Sequence, residues 1–150
     1  MEYNLLFVCT ANICRSPMAE GLAIYLATNY NLKIQSKSAG TMGVVAQPSA
    51  PNSIKAMREL GVDITNIRSK GVSPELMDWA DYVLVMENKH AATLRRRFPV
   101  HDEKILMLGS FGGVYTIDDP VGRWIFAFRK CRTVLMKSIE GFYTSLQTRS

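Results

Sequence analysis

The sequence has few cysteines, no long apolar run and no basic residues before its first apolar stretch. Its 3 cysteines among 150 residues form an odd set, which favours a reducing compartment over a disulfide framework. A transmembrane helix needs about 20 consecutive apolar residues, and no segment approaches that length, so we expect no membrane insertion. No basic residues precede the apolar stretch at 5–8, so we expect no signal peptide. Together these absences predict a cytoplasmic protein.

Positive side chains are only modestly in excess of negative ones, with a formal net charge of +5 and a pI near 9.2. Positive side chains are dispersed. Their one dense run, at 95–97, falls at the predicted end of a helix, where cations complement the helix dipole. The chain has no zinc-ligand spacing, and no stacking aromatics accompany its basic residues. We therefore expect no nucleic-acid partner and no metal, while a mildly positive surface suits an enzyme that acts on anionic substrates.

The chain alternates predicted strands and helices along one domain, 1–150, and 47% hydrophobic residues suffice for one core. The predicted strands are 5–9, 34–38, 82–86 and 105–108, and the predicted helices are about 17–29, 51–60, 74–80, 88–97 and 123–147. This alternation predicts a three-layer α/β fold, a four-stranded parallel sheet with helices on both faces, for which we choose the strand order 2-1-3-4. Functional sites in such sheets lie beyond the carboxyl ends of the strands.

The last predicted helix has an apolar face that we interpret as core. Its members recur at helical spacing: Trp124, Phe128, Cys131, Leu135, Phe142 and Leu146. Cys131 is therefore expected to be a packed side chain rather than a reactive one.

The first predicted strand ends in a cysteine that begins a Cys-x5-Arg motif. The motif and its flanks read Val8-Cys9-Thr10-Ala11-Asn12-Ile13-Cys14-Arg15-Ser16-Pro17. A short loop between Cys9 and Arg15 can turn its backbone N–H groups inward to bind a tetrahedral oxyanion, and the Arg15 guanidinium can bind two phosphate oxygens. Pro17 suits the first turn of the following helix, with Ser16 as its N-cap. We interpret the segment as a phosphate-binding loop with a nucleophile; the alternative is a structural Cys9 beside a surface Arg15.

A second segment, 117–122, leaves the fourth predicted strand at the same edge of the sheet. It contains Asp118 and Asp119 directly before Pro120. Pro120 restricts Asp119 to an extended backbone, and a carboxyl group beside a nucleophile can serve as a general acid. Asp-Pro alone is typical of a turn, but on the same sheet edge as the Cys9 loop we interpret Asp119 as the acid. Asp118 is interpreted as a solvated side chain, and a role as a second acid stays open.

These two segments resemble the low-molecular-weight protein tyrosine phosphatase family, in its bacterial branch. The similarity covers the whole chain and includes Ser38-Ala39-Gly40-Thr41 and Met86-Glu87. The resemblance implies a flavodoxin-like topology and hydrolysis of phosphotyrosine in proteins, with no cofactor. Cys9 would attack phosphorus to form a cysteinyl-phosphate, and Asp119 would protonate the leaving group and then activate water. Residues 10–16 would bind the phosphate.

The resemblance also implies supporting roles for side chains near the loop. Asn12, Ser16 and Ser38 would support the loop, with Ser16 hydrogen-bonded to the thiolate. Cys9 and Cys14 would form a reversible disulfide that protects the nucleophile from over-oxidation. The alternative for Cys14 is a small packed side chain.

The sequence departs from the family pattern around the substrate pocket. Ala11 replaces the usual Gly, and its methyl group requires a backbone conformation that L-residues tolerate. The loop with Met42 and Val44 lacks the usual Trp, and Val121 stands where many members have an aromatic residue. These three side chains would form the pocket wall. We expect them to bind a phosphotyrosine ring weakly, because aromatic pairs add about 0.5–1.5 kcal/mol beyond area burial.

Substrate choice depends on few residues. Within the resembled family a branched apolar residue such as Ile13 accompanies phosphotyrosine, whereas Thr accompanies phosphoarginine, so a protein-arginine phosphatase is one alternative. A thiol-dependent arsenate reductase is another, although no cysteine lies between residues 15 and 130 to take over a disulfide. A non-enzymatic phosphate- or redox-sensing module is the third. We expect a phosphotyrosyl protein as substrate, a bacterial tyrosine kinase as one candidate partner, and inorganic phosphate or similar oxyanions as ligands.

Overall fold

Strands and helices alternate along the computed structural model, which describes residues 2–149. Met1 and Ser150, the ends of the predicted domain, lie outside the described residues. The elements are β1 (Glu2–Cys9), α1 (Arg15–Ala27), β2 (Lys33–Gly40), α2 (Pro51–Arg58), α3 (Pro74–Trp79), β3 (Tyr82–Val85), α4 (Asn88–Arg97), β4 (Ile105–Met107) and α5 (Ile125–Thr148). Short 3₁₀ helices occupy Thr28–Tyr30, Pro99–Lys104 and Leu108–Gly112.

The four strands form one parallel sheet in the order β2-β1-β3-β4, which confirms the predicted order. In the register, Leu5 of β1 lies between Ser36 of β2 and Tyr82 of β3. The chain order reverses at β1, because β2 lies on one side of it and β3 on the other. The loop after β1 therefore opens at the position where parallel α/β sheets place their sites.

Alternate residues of β1 belong to two different cores. Leu5, Phe7 and Cys9 join the larger core with α1, α2 and α5. Leu6 and Val8 join the smaller core with α3 and α4. A strand buried on both faces reads as a continuous apolar run, and the helices on both faces confirm the three predicted layers.

Helix α5 carries the predicted apolar face with one exception. Its buried members are Phe128, Cys131, Leu135, Phe142 and Leu146. The prediction that Trp124 belongs to this core is wrong, because its side chain is 83% exposed. Trp124 precedes the first helical residue and has an extended backbone with ψ 166°, so helical spacing does not carry it onto the buried face.

Element boundaries differ from the predictions where side chains give no signal. β1 and β2 pair over eight residues each, from Glu2–Lys33 to Cys9–Gly40, because main-chain pairing continues past the apolar run. α1 begins at Arg15, with Cys14 at the N-cap position and no side-chain cap. The prediction that Ser16 caps this helix is therefore wrong. Within the described range no helix is both long and apolar enough to cross a membrane.

Candidate active site

The loop between β1 and α1 borders a cavity of about 210 Å³ at the carboxyl edge of the sheet. The cavity is lined by Cys9, Thr10, Ala11, Ile13, Cys14, Arg15, Met42, Asp119 and Val121. The fold thus brings the Cys-x5-Arg loop and the Asp-Pro segment to one opening, although about 100 residues separate them in the sequence.

The Cys9 thiol is buried beside the hydroxyl of Ser16. The distance from Cys9 Sγ to Ser16 Oγ is 3.0 Å, and Asn12 Nδ2 donates a hydrogen bond to the same Oγ at 2.8 Å. When Cys9 is ionised its sulfur can only accept, so Ser16 donates its hydroxyl proton to it. A hydrogen bond to the charged form stabilises a thiolate at this position.

Asn12 holds the loop from the inside. Its φ of 64° lies in the left-handed region, which Asn tolerates better than most residues. Its Nδ2 also donates to Ser38 Oγ at 2.9 Å, and its Oδ1 accepts from the Lys70 N–H at 3.1 Å. Ser38 in turn donates to Glu20 Oε1 at 2.6 Å. These contacts connect the loop to β2 and α1. The spacing of Asn12 and Ser38 in the sequence does not indicate that they are hydrogen-bonded.

The end of β2 packs directly under the loop. The N–H groups of Thr41 and Met42 donate to the carbonyls of Cys9 and Thr10, both at 3.0 Å. A Cβ atom at Gly40 would lie 2.6 Å from the Thr10 carbonyl oxygen, so only glycine permits this approach. The N–H groups of residues 11–13 donate to no acceptor among the described residues. They are therefore available to an oxyanion.

The Arg15 guanidinium is buried and divided between two sets of partners. Nη1 donates to Glu87 Oε2 at 2.6 Å and to the Ile117 carbonyl at 2.8 Å. Nε is buried with no partner, and Nη2 lies 3.5 Å from Asp119 Oδ2. The Nε–Nη2 edge is thus the pair of donors left for a bidentate oxyanion.

Glu87 is the anchor of Arg15. Burial raises the pKa of Glu87, but the hydrogen bond and charge of Arg15 outweigh it and leave the pKa below its usual range. The carboxylate is therefore ionised when it holds Arg15. The sequence marks this residue only as part of Met86-Glu87 after the third strand, and its pairing with a residue 72 positions earlier has no local signal.

His90 is a site residue that sequence reasoning missed. It is buried at the third position of α4, where its Nδ1 accepts the Glu87 N–H at 3.1 Å as part of a capping box. Its Nε2 lies 2.9 Å from Thr10 Oγ1. Burial, and then the charge of Arg15, lower the pKa of His90 to about 4. The Glu-x-x-His spacing at a helix start signals the cap, but nothing in the sequence signals Thr10.

Asp119 reaches the cavity and Asp118 does not. Asp119 is partly exposed, and its Oδ1 accepts the Val121 N–H at 3.0 Å, which fixes the carboxyl group. Asp118 is exposed and borders a neighbouring cavity of about 250 Å³ with Arg123 and Lys130. Of the two carboxyl groups, Asp119 has the geometry of an acid for a group bound beside Cys9.

Cys14 is a buried residue of the loop between Cys9 and Arg15. Burial, and then the charges of Asp119 and Cys9, raise its pKa to about 12, so its thiol is protonated at neutral pH. Cys9 and Cys14 are both free thiols here, and their reversible disulfide stays a prediction.

Three side chains were predicted to form the pocket wall: Met42, Val44 and Val121. Met42 and Val121 border the cavity and are exposed, at 67% and 55%. The prediction that Val44 lines it is wrong: the chain turns at Gly43, which has a φ of 71°, and Val44 leaves the rim. Ala11 does not take a positive φ, so the backbone accommodates its methyl group.

The site contains anion donors rather than metal ligands. Throughout residues 2–149, no group of three or more His, Cys, Asp or Glu side chains is placed to hold a metal ion. The donors at the cavity include Arg15, the Thr10 hydroxyl and the N–H groups of the loop that have no acceptor among the described residues. Beside a thiol and a carboxyl group, they can bind a tetrahedral oxyanion and carry out acid-assisted displacement at it.

Comparisons with known proteins agree with this geometry. A family model described as low molecular weight phosphotyrosine protein phosphatase matches residues 4–150. A protein-arginine-phosphatase of Geobacillus stearothermophilus is 34% identical over 99% of each chain. A probable low molecular weight protein-tyrosine-phosphatase EpsP of Ralstonia solanacearum is 28% identical, covering 95% of this chain and 94% of that one. The structure of a low molecular weight protein tyrosine phosphatase from T. tengcongensis superposes with a TM-score of 0.90 at 30% identity, covering 95% of this chain and 99% of that one.

Proposed function

The chain belongs to the low molecular weight phosphotyrosine protein phosphatase family, and from that membership we propose that it hydrolyses phosphotyrosine in proteins. Cys9 is the nucleophile, Arg15 and the loop N–H groups bind the phosphoryl oxygens, and Asp119 is the general acid and base. The observation that carries the proposal is the buried Arg15 Nε without a partner, at a cavity that Cys9 also lines. Such a buried donor is costly unless an anion occupies it.

The first step forms a cysteinyl-phosphate. The Cys9 thiolate attacks phosphorus, the S–P bond forms, and the bond from phosphorus to the phenolic oxygen breaks. The leaving oxygen takes its proton from the carboxylic acid of Asp119. Ser16 stabilises the thiolate before attack and again when it is released, because its hydroxyl lies 3.0 Å from the sulfur.

The second step releases inorganic phosphate. A water molecule attacks phosphorus and gives its proton to the Asp119 carboxylate, and the S–P bond breaks to restore the thiolate. In the loose transition state the negative charge is spread over the three equatorial phosphoryl oxygens, so donors held at these oxygens stabilise it. Nε and Nη2 of Arg15 supply two donors and residues 11–13 supply N–H groups.

An apolar rim supports phosphotyrosine as the substrate class. Ile13, Met42 and Val121 border the opening and present carbon atoms to an aromatic ring. A phosphotyrosyl protein is therefore the proposed partner, in the cytoplasm, with a bacterial tyrosine kinase as one candidate. The absence of aromatic side chains from this lining supports weak binding of the ring.

A protein-arginine phosphatase activity is the second candidate. The observation that favours it is the relative of that name, 34% identical over 99% of each chain. The two candidates share every step above except the leaving atom, which is nitrogen in phosphoarginine. Ile13 has no hydroxyl or amide to bond a guanidinium, which favours phosphotyrosine.

The test compares wild type, Cys9→Ser and Asp119→Ala, with Asp118→Ala as the matched control. Each is assayed on phosphotyrosyl, phosphoarginyl and phosphoseryl peptides and on p-nitrophenyl phosphate. Wild type is expected to hydrolyse the phosphotyrosyl peptide fastest. Cys9→Ser loses turnover but still binds the peptide, and Asp119→Ala loses on the order of 10²–10⁴ in kcat. Asp118→Ala is expected to resemble wild type, because its side chain lies outside the cavity.

Other outcomes reject parts of the proposal. Faster turnover of the phosphoarginyl peptide selects the second candidate. No turnover of any substrate by the reduced wild-type protein, with phosphate still bound, leaves a sensing module. Thiol-dependent reduction of arsenate by wild type would indicate a reductase, which needs a further cysteine to complete a disulfide relay.

A further inference from the structure

We propose that His90 is a positioning residue for phosphate binding, which makes the Thr10 hydroxyl a hydrogen-bond donor to the bound phosphoryl group. The inference rests on the proposed function, since it requires an oxyanion in the cavity. The hydrogen bonds of the His90 side chain go to Thr10 and Glu87, not to Cys9 or Arg15. It acts through Thr10, which lines the cavity next to Cys9.

The tautomer of His90 follows from its two partners. The Glu87 N–H can only donate, so the Nδ1 that it meets at 3.1 Å is an acceptor without a proton. A neutral imidazole with a bare Nδ1 carries its proton on Nε2. Nε2 therefore donates to Thr10 Oγ1, 2.9 Å away.

The tautomer of His90 also fixes the direction of the hydrogen bonds of the Thr10 hydroxyl. Its oxygen accepts from His90, so its own hydroxyl proton is directed to a different acceptor. No acceptor for it exists among the residues described. A phosphoryl oxygen in the cavity that Thr10 lines is the acceptor that this arrangement suits.

The surroundings keep His90 in this one state. Its side chain is 1% exposed, and a proton on Nδ1 would meet the Glu87 N–H and the nearby charge of Arg15. Glu87 and Lys89 also act on the imidazole, with opposite effects, and the burial effect is larger than either. The imidazole is thus a fixed, neutral link from Glu87 to Thr10.

Glu87 gives His90 a second connection to the site. The residue whose N–H is bound by His90 Nδ1 also holds Arg15 Nη1 at 2.6 Å through its carboxylate. The His90 imidazole therefore positions two residues: Thr10, which follows the nucleophile, and Glu87, which holds Arg15. A purely structural role, the capping of α4, uses only Nδ1.

Substitution of His90 by asparagine or by glutamine tests the roles of its two nitrogen atoms separately. In His90→Asn the side-chain oxygen can replace Nδ1 and keep the cap, but no atom reaches Thr10. In His90→Gln the terminal amide can replace Nε2 and donate to Thr10, but the cap is lost. Thr10→Val removes the hydroxyl at nearly constant volume, and Thr10→Ser keeps it. His101→Asn, at the other histidine of the chain, is the matched control.

The experiment measures the dissociation constant of inorganic phosphate and the melting temperature of each full-length variant. His90→Asn and Thr10→Val are each expected to bind phosphate about five- to tenfold more weakly, while His90→Asn keeps a melting temperature near that of wild type. His90→Gln is expected to melt lower but bind phosphate more tightly than His90→Asn. Thr10→Ser and His101→Asn bind as wild type, and the double variant His90→Asn/Thr10→Val is no weaker than Thr10→Val alone.

Wild-type affinity for phosphate in His90→Asn or in Thr10→Val would overturn the inference. The inference would also be overturned if His90→Asn weakened phosphate binding by the same factor in the Thr10→Val background as in the wild-type protein. A wild-type protein that neither binds phosphate nor hydrolyses p-nitrophenyl phosphate rejects the proposed function itself. Binding and hydrolysis by wild type with an unaltered His90→Asn reject only the role of His90.

Discussion

The Arg15 guanidinium shows how one side chain serves the fold and the chemistry together. Nη1 is committed to Glu87 and to the Ile117 carbonyl, Nε has no partner, and Nη2 lies 3.5 Å from Asp119 Oδ2. The sequence predicts an arginine fork, but it does not show which edge of the fork is free. Lysine could not divide its contacts in this way, because its ammonium is a single point of charge.

Ile13 is the residue at which substrate preference is best tested. Its side chain borders the cavity and packs against the larger core. Ile13→Thr is expected to lower kcat/KM for a phosphotyrosyl peptide by about tenfold, because a hydroxyl replaces the ethyl branch of a side chain that lines the proposed binding site of the ring. Activity on a phosphoarginyl peptide is expected to fall less or to rise.

Ile13→Val is the control, since it keeps a branched apolar side chain and should change kcat/KM little. Steady-state kinetics on the two peptides give both ratios. An unchanged ratio in Ile13→Thr would contradict a role for this position in substrate choice.

At the scale of elements, the carboxyl end of β2 supports the phosphate-binding loop. A Cβ atom at Gly40 would lie 2.6 Å from the Thr10 oxygen and 3.0 Å from the Asn12 nitrogen. Gly40→Ala is therefore expected to displace the loop, with a stability loss of about 1–3 kcal/mol and a fall in kcat/KM of about 10².

Gly141→Ala is the matched control for Gly40→Ala. A Cβ atom at Gly141, in α5, would overlap the Phe111 carbonyl far from the cavity, so it should also destabilise the protein. Urea unfolding and kinetics below the transition then separate the effects. Equal kcat/KM values for the two folded variants would contradict the proposed support by Gly40.

Helix α5 begins without a capping side chain. Trp124 occupies its N-cap position with an extended backbone and no side-chain hydrogen bond. Trp124→Ser is expected to stabilise the protein by about 1 kcal/mol, because the serine oxygen can accept an N–H of the first turn. The free energy of unfolding in urea measures the gain.

Trp124→Ala removes the indole without adding a cap, and it is expected to leave stability nearly unchanged because the side chain is exposed. If Trp124→Ser were no more stable than Trp124→Ala, the missing cap would not limit α5.

At the scale of the whole molecule, acid destabilises the fold in two windows. His90 has a pKa of about 4, below its ordinary 6.5, so the unfolded chain binds more protons between these values and stability falls as the pH drops from 6.5 to 4. Glu59 has a pKa of about 2, below its ordinary 4.5, because Arg129 and Arg132 bond its carboxylate. Its contribution is lost as the pH drops from 4.5 towards 2.

Two variants assign these windows in urea unfolding at a series of pH values. His90→Asn is expected to flatten the decline between pH 6.5 and 4, and Glu59→Gln the decline below pH 4.5. Glu59 joins α2 to α5, so its variant should leave phosphate binding unchanged. A decline of equal slope in wild type and His90→Asn would contradict the assignment to His90.

The sequence predicted the limits of an element well where the signal lies within that element. The limits of α4 match the predicted 88–97, and Ser73 caps α3 by accepting the Leu76 N–H at 3.2 Å. The parallel sheet followed from the alternation of strands and helices, whereas the order 2-1-3-4 was one choice among the orders that this alternation permits. The error at Trp124 arose because this residue precedes the first helical residue of α5, and the error at Ser16 arose because α1 begins at Arg15, before Pro17.

The sequence by itself determined the fold class and the family, and it supplied the pattern from which the chemistry of the Cys9 loop is proposed. Apolar periodicity and the spacing of Cys9, Arg15 and Asp119 are properties of the chain read in order. Only the tertiary structure decided how those groups are held: Glu87 pairs with Arg15, His90 bonds Thr10, and Val44 lies outside the pocket. These contacts join residues far apart in sequence, and their partners are set by how the elements pack, which no local pattern encodes.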